Sequence, residues 1–156
     1  ILPKELIAKQ AEQPQTDMPS DGAVKILSVG RFCDAKNLDN VPDICRRLVE
    51  DGLNVKWYLI GYGGDEPLIR QKITEAGMQE RVIILGKKDN PYPYMRACDL
   101  YVQPSRYEGK AVTVREAQLR HHRLRHFRQP AGGRRGRCDR PDGQRRLRFR
   151  YCGSAA

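Results

Sequence analysis

The stretch VKILSVGRF at residues 24–32 joins a compact apolar run to a glycine and an arginine. An uninterrupted apolar run of this length is typical of a strand that is buried on both faces of a parallel sheet. VKWYLIG at 55–61, RVIILG at 81–86 and DLYVQP at 99–104 repeat the pattern, and a helical stretch follows each run. This order predicts an α/β fold with a Rossmann-like, doubly wound parallel sheet, truncated after the fourth strand and the helix that follows it.

Helices are predicted from apolar residues at helical spacing and from residues that begin or end a helix. Gly52 and Gly77 each follow such a stretch, where a left-handed glycine ends a helix, and Asp65 is expected to cap the second helix. The predicted helices cover residues 41–51, 65–77, 91–98 and 112–118. The residues of the second helix that are expected to face inward are Leu68, Ile69, Ile73 and Ala76.

The net positive charge of the chain comes entirely from its last part. Residues 1–118 hold 17 basic and 17 acidic residues, whereas residues 119–156 hold 12 arginines and 2 aspartates and carry the whole net charge of +10. The periodic part of the chain therefore gives no indication of a nucleic-acid interface. The arginine-rich part has almost no apolar periodicity and needs a separate interpretation.

Cysteine use and the opening residues predict a cytoplasmic protein. The 5 cysteines are odd in number, widely spaced and never in a CxxC pair, which argues against a disulfide framework and against a zinc site. Residues 1–16 lack a long apolar run and a cleavage site, so neither a signal peptide nor an anchor is expected. No apolar stretch is long enough to predict a transmembrane helix.

Two cations follow the first predicted strand. Arg31 comes directly after it and Lys36 lies in the same loop, so both can converge beyond the carboxyl edge of the sheet. A guanidinium and an ammonium replace the water that solvates a diphosphate, which makes this loop a candidate diphosphate site. Taken in isolation, such a pair is more typical of two ordinary surface cations in a solvated loop.

A glycine-rich turn follows the second predicted strand. The sequence GYGGDE at 61–66 resembles a dinucleotide-binding turn, but it follows the wrong strand and lacks the third glycine. The simpler interpretation is a tight turn between strand and helix that needs a positive φ at a glycine. We therefore assign no ligand to it from the sequence.

Two glutamates follow the fourth predicted strand. Glu108 lies on the loop and Glu116 falls inside the helix that this loop begins. Amides at the start of a helix favour a phosphate oxygen, while a carboxylate accepts hydrogen bonds from sugar hydroxyls. The alternative is a pair of solvated glutamates. The amides at the start of that helix belong to Gly109, Lys110, Ala111 and Val112.

These motifs together resemble the C-terminal domain of family 4 glycosyltransferases of the GT-B fold. The resemblance covers about residues 24–118 and rests on SVGRF with Lys36 and Asn37, IGYGG, ILGKK, and PSRYEG continuing to Glu116. Glu108, which lies within PSRYEG, and Glu116, eight positions later, match the EX7E signature of that family. The resemblance implies a retaining enzyme that takes a sugar from a nucleotide diphosphate sugar without a metal or other cofactor.

The resemblance also implies a role for each matching residue. Arg31 and Lys36 would bind the donor diphosphate and act in catalysis, Glu108 would bind the donor sugar and take part in catalysis, and Glu116 would bind the ribose. Lys110 departs from the apolar residue that is commoner at its position, which leaves the choice of sugar open. The acceptor, a glycan or a lipid-linked molecule, would be held by an N-terminal domain, with peripheral membrane contact in the intact enzyme.

The predicted organisation has three parts. Residues 1–23 are interpreted as a linker remnant from an absent N-terminal acceptor domain, and residues 24–118 as an incomplete nucleotide-sugar-binding domain. Residues 119–156 are interpreted as an arginine-rich aberrant tail produced by a frameshift, since CGN arginine codons read one base later give valine, alanine, aspartate, glutamate or glycine. On this interpretation the 156-residue chain alone is expected to be inactive. A genuine basic tail is the alternative.

Two other functions compete with sugar transfer. An NAD-binding Rossmann domain would need a glycine triplet in the turn after the first strand, where SVGRFCDAK instead carries an arginine. A nucleic-acid-binding module would use the basic tail and would show a steep dependence of affinity on salt. Neither the donor base, the sugar nor the acceptor follows from the residues.

Overall fold

A computed structural model describes residues 3–106, which form one parallel sheet covered by helices on both faces. The expected helix over 112–118 lies outside the described residues, as does the arginine-rich tail. Two short 3-10 helices, Asp34–Lys36 and Leu38–Asn40, lie in the loop after the first strand. The other elements are α1 Lys4–Gln10, β1 Val24–Val29, α2 Val41–Glu50, β2 Val55–Ile60, α3 Glu66–Ala76, β3 Val82–Gly86, α4 Tyr92–Ala97 and β4 Leu100–Tyr101.

The sheet has the strand order β3-β2-β1-β4, and all three neighbouring pairs are parallel. Val24 lies opposite Val55 where β1 and β2 begin, and Ile26 lies opposite Leu100 at the start of β4. The chain therefore winds outward from β1 in both directions, which confirms the predicted Rossmann-like fold. It also brings the carboxyl ends of all four strands to one rim, where ligands bind in sheets of this kind.

Alternate residues of the strands fill two cores. Leu27, Tyr58 and Ile60 face α1 and α4, whereas Ile26 and Trp57 face α2 and α3. Successive residues of a strand point to opposite faces, so a strand buried on both sides is apolar throughout. Each such side chain contributes on the order of 1.5–3 kcal/mol through burial.

The ends of α2 and α3 agree with the sequence. Gly52 follows α2 with a φ of 86°, and Gly77 follows α3 with a φ of 67°. Asp65 occupies the N-cap position of α3 but makes no side-chain capping hydrogen bond. The predicted inward stripe is correct for Ile69 and Ile73 and wrong for Leu68, which is 40% exposed. Leu68 lies about 100° around the helix from Ile69, away from the stripe that touches the sheet. Ala76, also predicted inward, is half-buried.

The N-terminal segment contains a helix that the sequence did not reveal. Helix α1 lies within residues 1–23, and its Ile7 is fully buried together with Ala11 and Met18 against α4. Asn90 donates to the carbonyl oxygen of Gln10 at 2.9 Å, which joins the helix to the loop before α4. With seven residues and one buried side chain, α1 is too short to show a helical period.

A polar cluster holds the chain after α1 against α4 and the loop before it. The Tyr94 hydroxyl donates to the Asp17 carboxylate at 2.6 Å, and the Lys88 ammonium lies 3.1 Å from that carboxylate. The hydrogen bonds from Tyr94 and Lys88 hold the pKa of Asp17 below its usual value. Residues 3–21 are therefore packed onto the sheet domain through apolar and polar contacts.

Candidate functional site

The loops after β1 and β2 are joined backbone to backbone at the carboxyl rim. The amide of Phe32 donates to the carbonyl oxygen of Tyr62 at 2.8 Å, and the amide of Asp65 donates to the carbonyl oxygen of Phe32 at 3.1 Å. The Phe32 side chain is fully buried beneath them. The two loops are therefore joined into one surface beyond the ends of β1 and β2, and residues 30–36 and 61–65 of this surface are called the shelf.

Two glycines allow this close approach. A Cβ on Gly61 would lie 1.8 Å from the carbonyl oxygen of Gly30, and a Cβ on Gly63 would lie 2.3 Å from that of Phe32. Both have a positive φ, 149° at Gly61 and 154° at Gly63. The positive φ values agree with the simpler interpretation of the GYGG sequence as a strand-to-helix turn, and the glycines also allow close contact between the two loops.

Arg31 and Lys36 both lie on the loop that leaves β1 at this rim. Arg31 is exposed directly after the strand, while Lys36 is half-buried and ends the 3-10 helix Asp34–Lys36. A Cβ on Gly30 would lie 3.7 Å from the Lys36 Cδ and 3.6 Å from the Gln103 Nε2. The Lys36 side chain therefore lies beside Gly30 at the end of β1, in the neighbourhood of Gln103.

That segment is tied to the sheet by buried polar groups. The Trp57 indole donates to the Ser28 hydroxyl at 2.9 Å, and this hydroxyl donates to the carbonyl oxygen of Val102 at 2.6 Å. Further along, the Gln103 amide donates to the Ser105 hydroxyl at 3.1 Å. Since buried polar groups are costly unless they are hydrogen-bonded, these partners fix the path of residues 102–105.

Asn37 joins the loop after β1 to the segment after β4. It has a φ of 56° and a ψ of 29°, and it is the one non-glycine residue with a positive φ between residues 3 and 106. Its side chain is 7% exposed and donates to the carbonyl oxygen of Pro104 at 3.0 Å. The Asn40 side-chain amide donates to the Asn37 Oδ1, which fixes the orientation of the Asn37 side-chain amide.

Arg106 makes a second connection between the same segments. Its amide donates to the carbonyl oxygen of Ala35 at 2.9 Å, and its guanidinium donates to the backbone oxygen of Asp34 at 2.7 Å. The guanidinium also pairs with the carboxylates of Asp34 at 2.9 Å and Asp39 at 3.4 Å. The loop that carries Lys36 is thus held on both sides of that residue.

The predicted site residues fall into two groups. Arg31 and Lys36 lie at one rim and in one loop, as the sequence predicts. The other predicted residues, Glu108, Gly109, Lys110, Ala111, Val112 and Glu116, lie outside the described residues. Their meeting with the two cations stays a prediction, although Arg106 lies two positions before Glu108 and is fastened beside Lys36.

Asn37 and Arg106 were missed as site residues. Asparagine tolerates the left-handed conformation better than most residues, so its position directly after Lys36 was a usable signal. The signal for Arg106 was weaker. Its partners Asp34 and Asp39 are distant in sequence, and the parallel pairing of β1 with β4 brings them close to Arg106.

An exposed ring also lies at the carboxyl rim. Tyr62 is 52% exposed, and the Lys87 ammonium lies 5.5 Å from the centre of its ring. An ammonium over an aromatic face is held by the charge distribution of the ring. The pair therefore extends the shelf toward the end of β3.

The opposite edge of the sheet holds a cavity of about 440 Å³. It lies where the strands begin, far from the predicted site, and contains the ion pair between Asp21 and Lys56. Its lining is polar and open to solvent, with residues Asp21, Ala23, Asn54, Lys56, Glu80 and Arg81. The cavity carries none of the residues that the sequence predicted.

The described part of the chain contains three free thiols, and two of them are buried. Burial raises the pKa of the Cys45 thiol to about 11 and that of Cys98 to about 12, so both stay protonated at neutral pH. Cys33 is an unpaired thiol. Residues 3–106 hold no group of three or more metal-ligating side chains. None of their helices is long and apolar enough to cross a bilayer.

The strand order and the helices on both faces define an α/β domain with a doubly wound parallel sheet, a class in which ligands bind at the carboxyl ends of the strands. A profile of the family described as "Glycosyl transferases group 1" matches residues 9–120. The chain belongs to this family of glycosyltransferases. The match begins at Lys9, near the end of α1, and covers only the last two residues of that helix.

Similar proteins include one curated relative and two solved structures. The lipopolysaccharide core biosynthesis glycosyltransferase LpsE of Rhizobium meliloti is 28% identical over 106 residues, which are 68% of this chain and 30% of LpsE. S. aureus TarM, solved as a mutant with fondaparinux, alpha-GlcNAc-glycerol and UDP, has a TM-score of 0.62 at 19% identity, over 73% of this chain and 24% of TarM.

The second structure is the C-terminal domain of the group 1 family protein LpcC from Francisella tularensis. It has a TM-score of 0.54 at 23% identity, over 62% of this chain and 53% of that domain. Both structures share the fold with this chain. The chain spans 15% to 30% of the length of the curated relatives it matches.

Proposed function

We propose that this chain is the C-terminal, donor-binding part of a retaining glycosyltransferase of the GT-B fold, family 4, EX7E type. The whole enzyme would move a sugar from a nucleotide diphosphate sugar to a glycan or another acceptor. One observation carries the proposal: Arg31 and Lys36 share one loop at the carboxyl rim, and that loop is hydrogen-bonded to the segment leading into Glu108. Membership of the family supports it.

The proposed roles follow the chemistry of each group. Arg31 and Lys36 bind the diphosphate, since a fork of N–H donors and a point charge both suit phosphate oxygens. Glu108 accepts from a hydroxyl of the sugar, and Glu116 accepts from the vicinal hydroxyls of the ribose. The start of the helix that carries Glu116 supplies the amides of Gly109, Lys110, Ala111 and Val112 to the phosphate.

The two cations would act on the leaving group. When the bond between the anomeric carbon and the diphosphate oxygen breaks, the sugar becomes cationic and the diphosphate gains negative charge. The attraction of Arg31 and Lys36 grows with that charge, so it stabilises the transition state more than the bound donor. The proposed reaction needs no metal or other cofactor from this half of the enzyme.

The remaining expectations belong to the same proposal. The acceptor, a glycan or a lipid-linked molecule, is held by an N-terminal domain, and the enzyme works in the cytoplasm with peripheral contact to a membrane. Residues 1–23 link the two domains, residues 24–118 bind the donor, and residues 119–156 are a frameshift product. TarM was solved with UDP, which supports a uridine diphosphate donor.

Direct binding separates this function from an NAD-binding domain. UDP, NAD and a buffer blank are titrated calorimetrically into the purified chain and into Lys36→Met and Arg70→Met variants. A lost charge-assisted hydrogen bond of about 1.5–3 kcal/mol weakens binding roughly ten-fold or more. We expect UDP to bind, NAD not to bind, and only Lys36→Met to weaken UDP.

The control removes a comparable charge elsewhere. Arg70 pairs with Glu66 at 2.8 Å within α3 and is 60% exposed, so its loss leaves the rim intact. Binding of NAD in place of UDP, or equal weakening by both variants, contradicts the proposed function. A steep loss of affinity for RNA with rising salt, carried by residues 119–156 alone, would instead support the nucleic-acid alternative.

A further inference from the structure

Arg106 holds the loop after β1 from the side of Asp34 and Ala35. Its guanidinium reaches the backbone and side chain of Asp34 and the carboxylate of Asp39, whose side chain is only 17% exposed. With two carboxylate partners, the charge of Arg106 is matched before any anion arrives. Arg106 is therefore suited to hold a loop and poorly suited to bind phosphate.

Asn37 holds the same loop from the other side. Its buried amide donates to the carbonyl oxygen of Pro104, and its left-handed backbone turns the chain directly after Lys36. A non-glycine residue in this conformation costs free energy that surrounding contacts must offset. The bonds to Pro104 and from Asn40 supply such contacts.

Lys36 lies between these two attachments. Ala35 accepts from the Arg106 amide at 2.9 Å on one side, and Asn37 donates to Pro104 at 3.0 Å on the other. The residues on either side of Lys36 are therefore bonded to residues 104–106, Ala35 through its backbone oxygen and Asn37 through its side chain. A charged group fixed before the ligand arrives loses less entropy on binding and is aimed more accurately.

We propose that Arg106 and Asn37 form a clamp that positions Lys36 relative to residues 104–106, the segment that leads toward Glu108. The inference rests on the proposed function, in which Lys36 contacts the donor diphosphate. In this proposal Arg106 and Asn37 are positioning residues, because they act on the donor through Lys36.

A double-mutant cycle tests the clamp. UDP affinity is measured on the chain carrying Arg106→Met, Lys36→Met, both changes together, and the Arg70→Met control. Arg106→Met keeps the aliphatic length and removes the fork, and we expect it to weaken UDP about ten-fold, or 1.4 kcal/mol. In the Lys36→Met background the same change should alter the affinity by less than about two-fold, because groups that act through one another are not additive.

A merely structural role gives a different result. If Arg106→Met weakens UDP by the same factor with and without Lys36, or leaves it within about two-fold of the starting protein, the clamp is refuted. Arg106→Lys keeps the charge but cannot bridge Asp34 and Asp39 with one fork, so we expect it to recover only part of the affinity.

The Asn37 series keeps the test available if Arg106→Met fails to fold. Asn37→Gly retains the left-handed backbone and removes the bond to Pro104, whereas Asn37→Ala loses both. We expect Asn37→Gly to weaken UDP a few-fold, and Asn37→Ala to weaken it further. Unchanged affinity in both variants overturns the role of Asn37.

Amide hydrogen exchange separates failure of the clamp from failure of the proposed function. The amides of Lys36 and Asn37 donate to Cys33 at 2.9 Å and to Asp34 at 3.1 Å within the clamped loop. We expect Arg106→Met to speed their exchange at least about ten-fold even if UDP does not bind. Unchanged exchange refutes the clamp, whereas absence of UDP binding to the unmodified chain refutes the donor site.

Discussion

The loops after β1 and β2 leave the same rim of the sheet, yet they serve different purposes. The glycines of the loop after β2 lie against the backbone of the loop after β1. A Cβ at Gly61 or Gly63 would clash with that backbone. The loop after β1 presents Arg31 and Lys36, and a Cβ placed on Gly30 would make only ordinary contacts. The glycine-rich loop is therefore a support, and the loop with fewer glycines carries the candidate chemistry.

The largest expected effect is on stability, in the supporting loop. Gly61→Ala would drive a methyl group into the carbonyl oxygen of Gly30 from a backbone with a φ of 149°. We expect a loss of about 3 kcal/mol or more in the free energy of unfolding, since overpacking and backbone strain add. Urea denaturation measures it. Gly30→Ala is the matched control, expected to cost less than about 1 kcal/mol. Similar losses in both variants would contradict the distinction between the loops.

The next effect is on turnover, in the loop that carries the cations. In a full-length relative, replacing the arginine aligned with Arg31 by alanine should lower kcat about 100-fold and leave the melting temperature nearly unchanged, since the lost interaction grows as the leaving group gains charge. Steady-state kinetics with the native donor measures it. Unaltered kcat with only weaker donor affinity would refute the transition-state role.

A smaller loss of stability is expected where β1 supports the exit from β4. Ser28→Ala removes the hydroxyl that accepts from the Trp57 indole and donates to the carbonyl oxygen of Val102. Two buried groups lose a partner, so we expect a loss of roughly 1–3 kcal/mol in the free energy of unfolding. Ser28→Cys keeps a weak donor and should cost less. Chemical denaturation that finds no difference from the unmodified chain would remove this support from the account.

The smallest effect depends on pH and lies beyond the rim, where residues 3–21 meet the sheet domain. Hydrogen bonds from Tyr94 and Lys88 lower the pKa of Asp17 in the folded chain. Its contribution is therefore complete above the ordinary carboxyl pKa of about 3.9 and is lost as the pH falls through the lowered folded value. Because the Asp17 side chain is 39% exposed, Asp17→Asn should cost less than about 1 kcal/mol at pH 7. The difference from the unmodified chain should shrink in acid; a difference that grows there would contradict the assignment.

Most of the sheet could be predicted because local pattern and tertiary contact agree. Strands buried on both faces are apolar throughout, and Gly52 and Gly77 mark helix ends with positive φ. Helix α1 was not predicted because its single buried residue, Ile7, gives no helical periodicity in the sequence. The prediction that Leu68 faces inward was wrong because α3 carries four apolar residues, and only the position of the sheet decides which of them are buried.

The candidate site could be predicted in part for the same reason. Arg31 and Lys36 follow a strand, and the carboxyl ends of all strands in a parallel sheet lie at one rim. Arg106 and Asn37 act through contacts between segments about 70 residues apart, such as the bond from Asn37 to Pro104. No local spacing encodes such a pairing, so it becomes visible only after β1 and β4 are placed side by side.

The most direct test of the central claim is a crystal structure of the chain with UDP bound. We expect the diphosphate oxygens to lie within hydrogen-bond distance of Arg31 and Lys36, about 2.7–3.2 Å, with the ribose beside Glu116 and the Glu108 loop over the same rim. UDP bound at the amino edge of the sheet, near Asp21 and Arg81, or held away from both cations, would contradict the account.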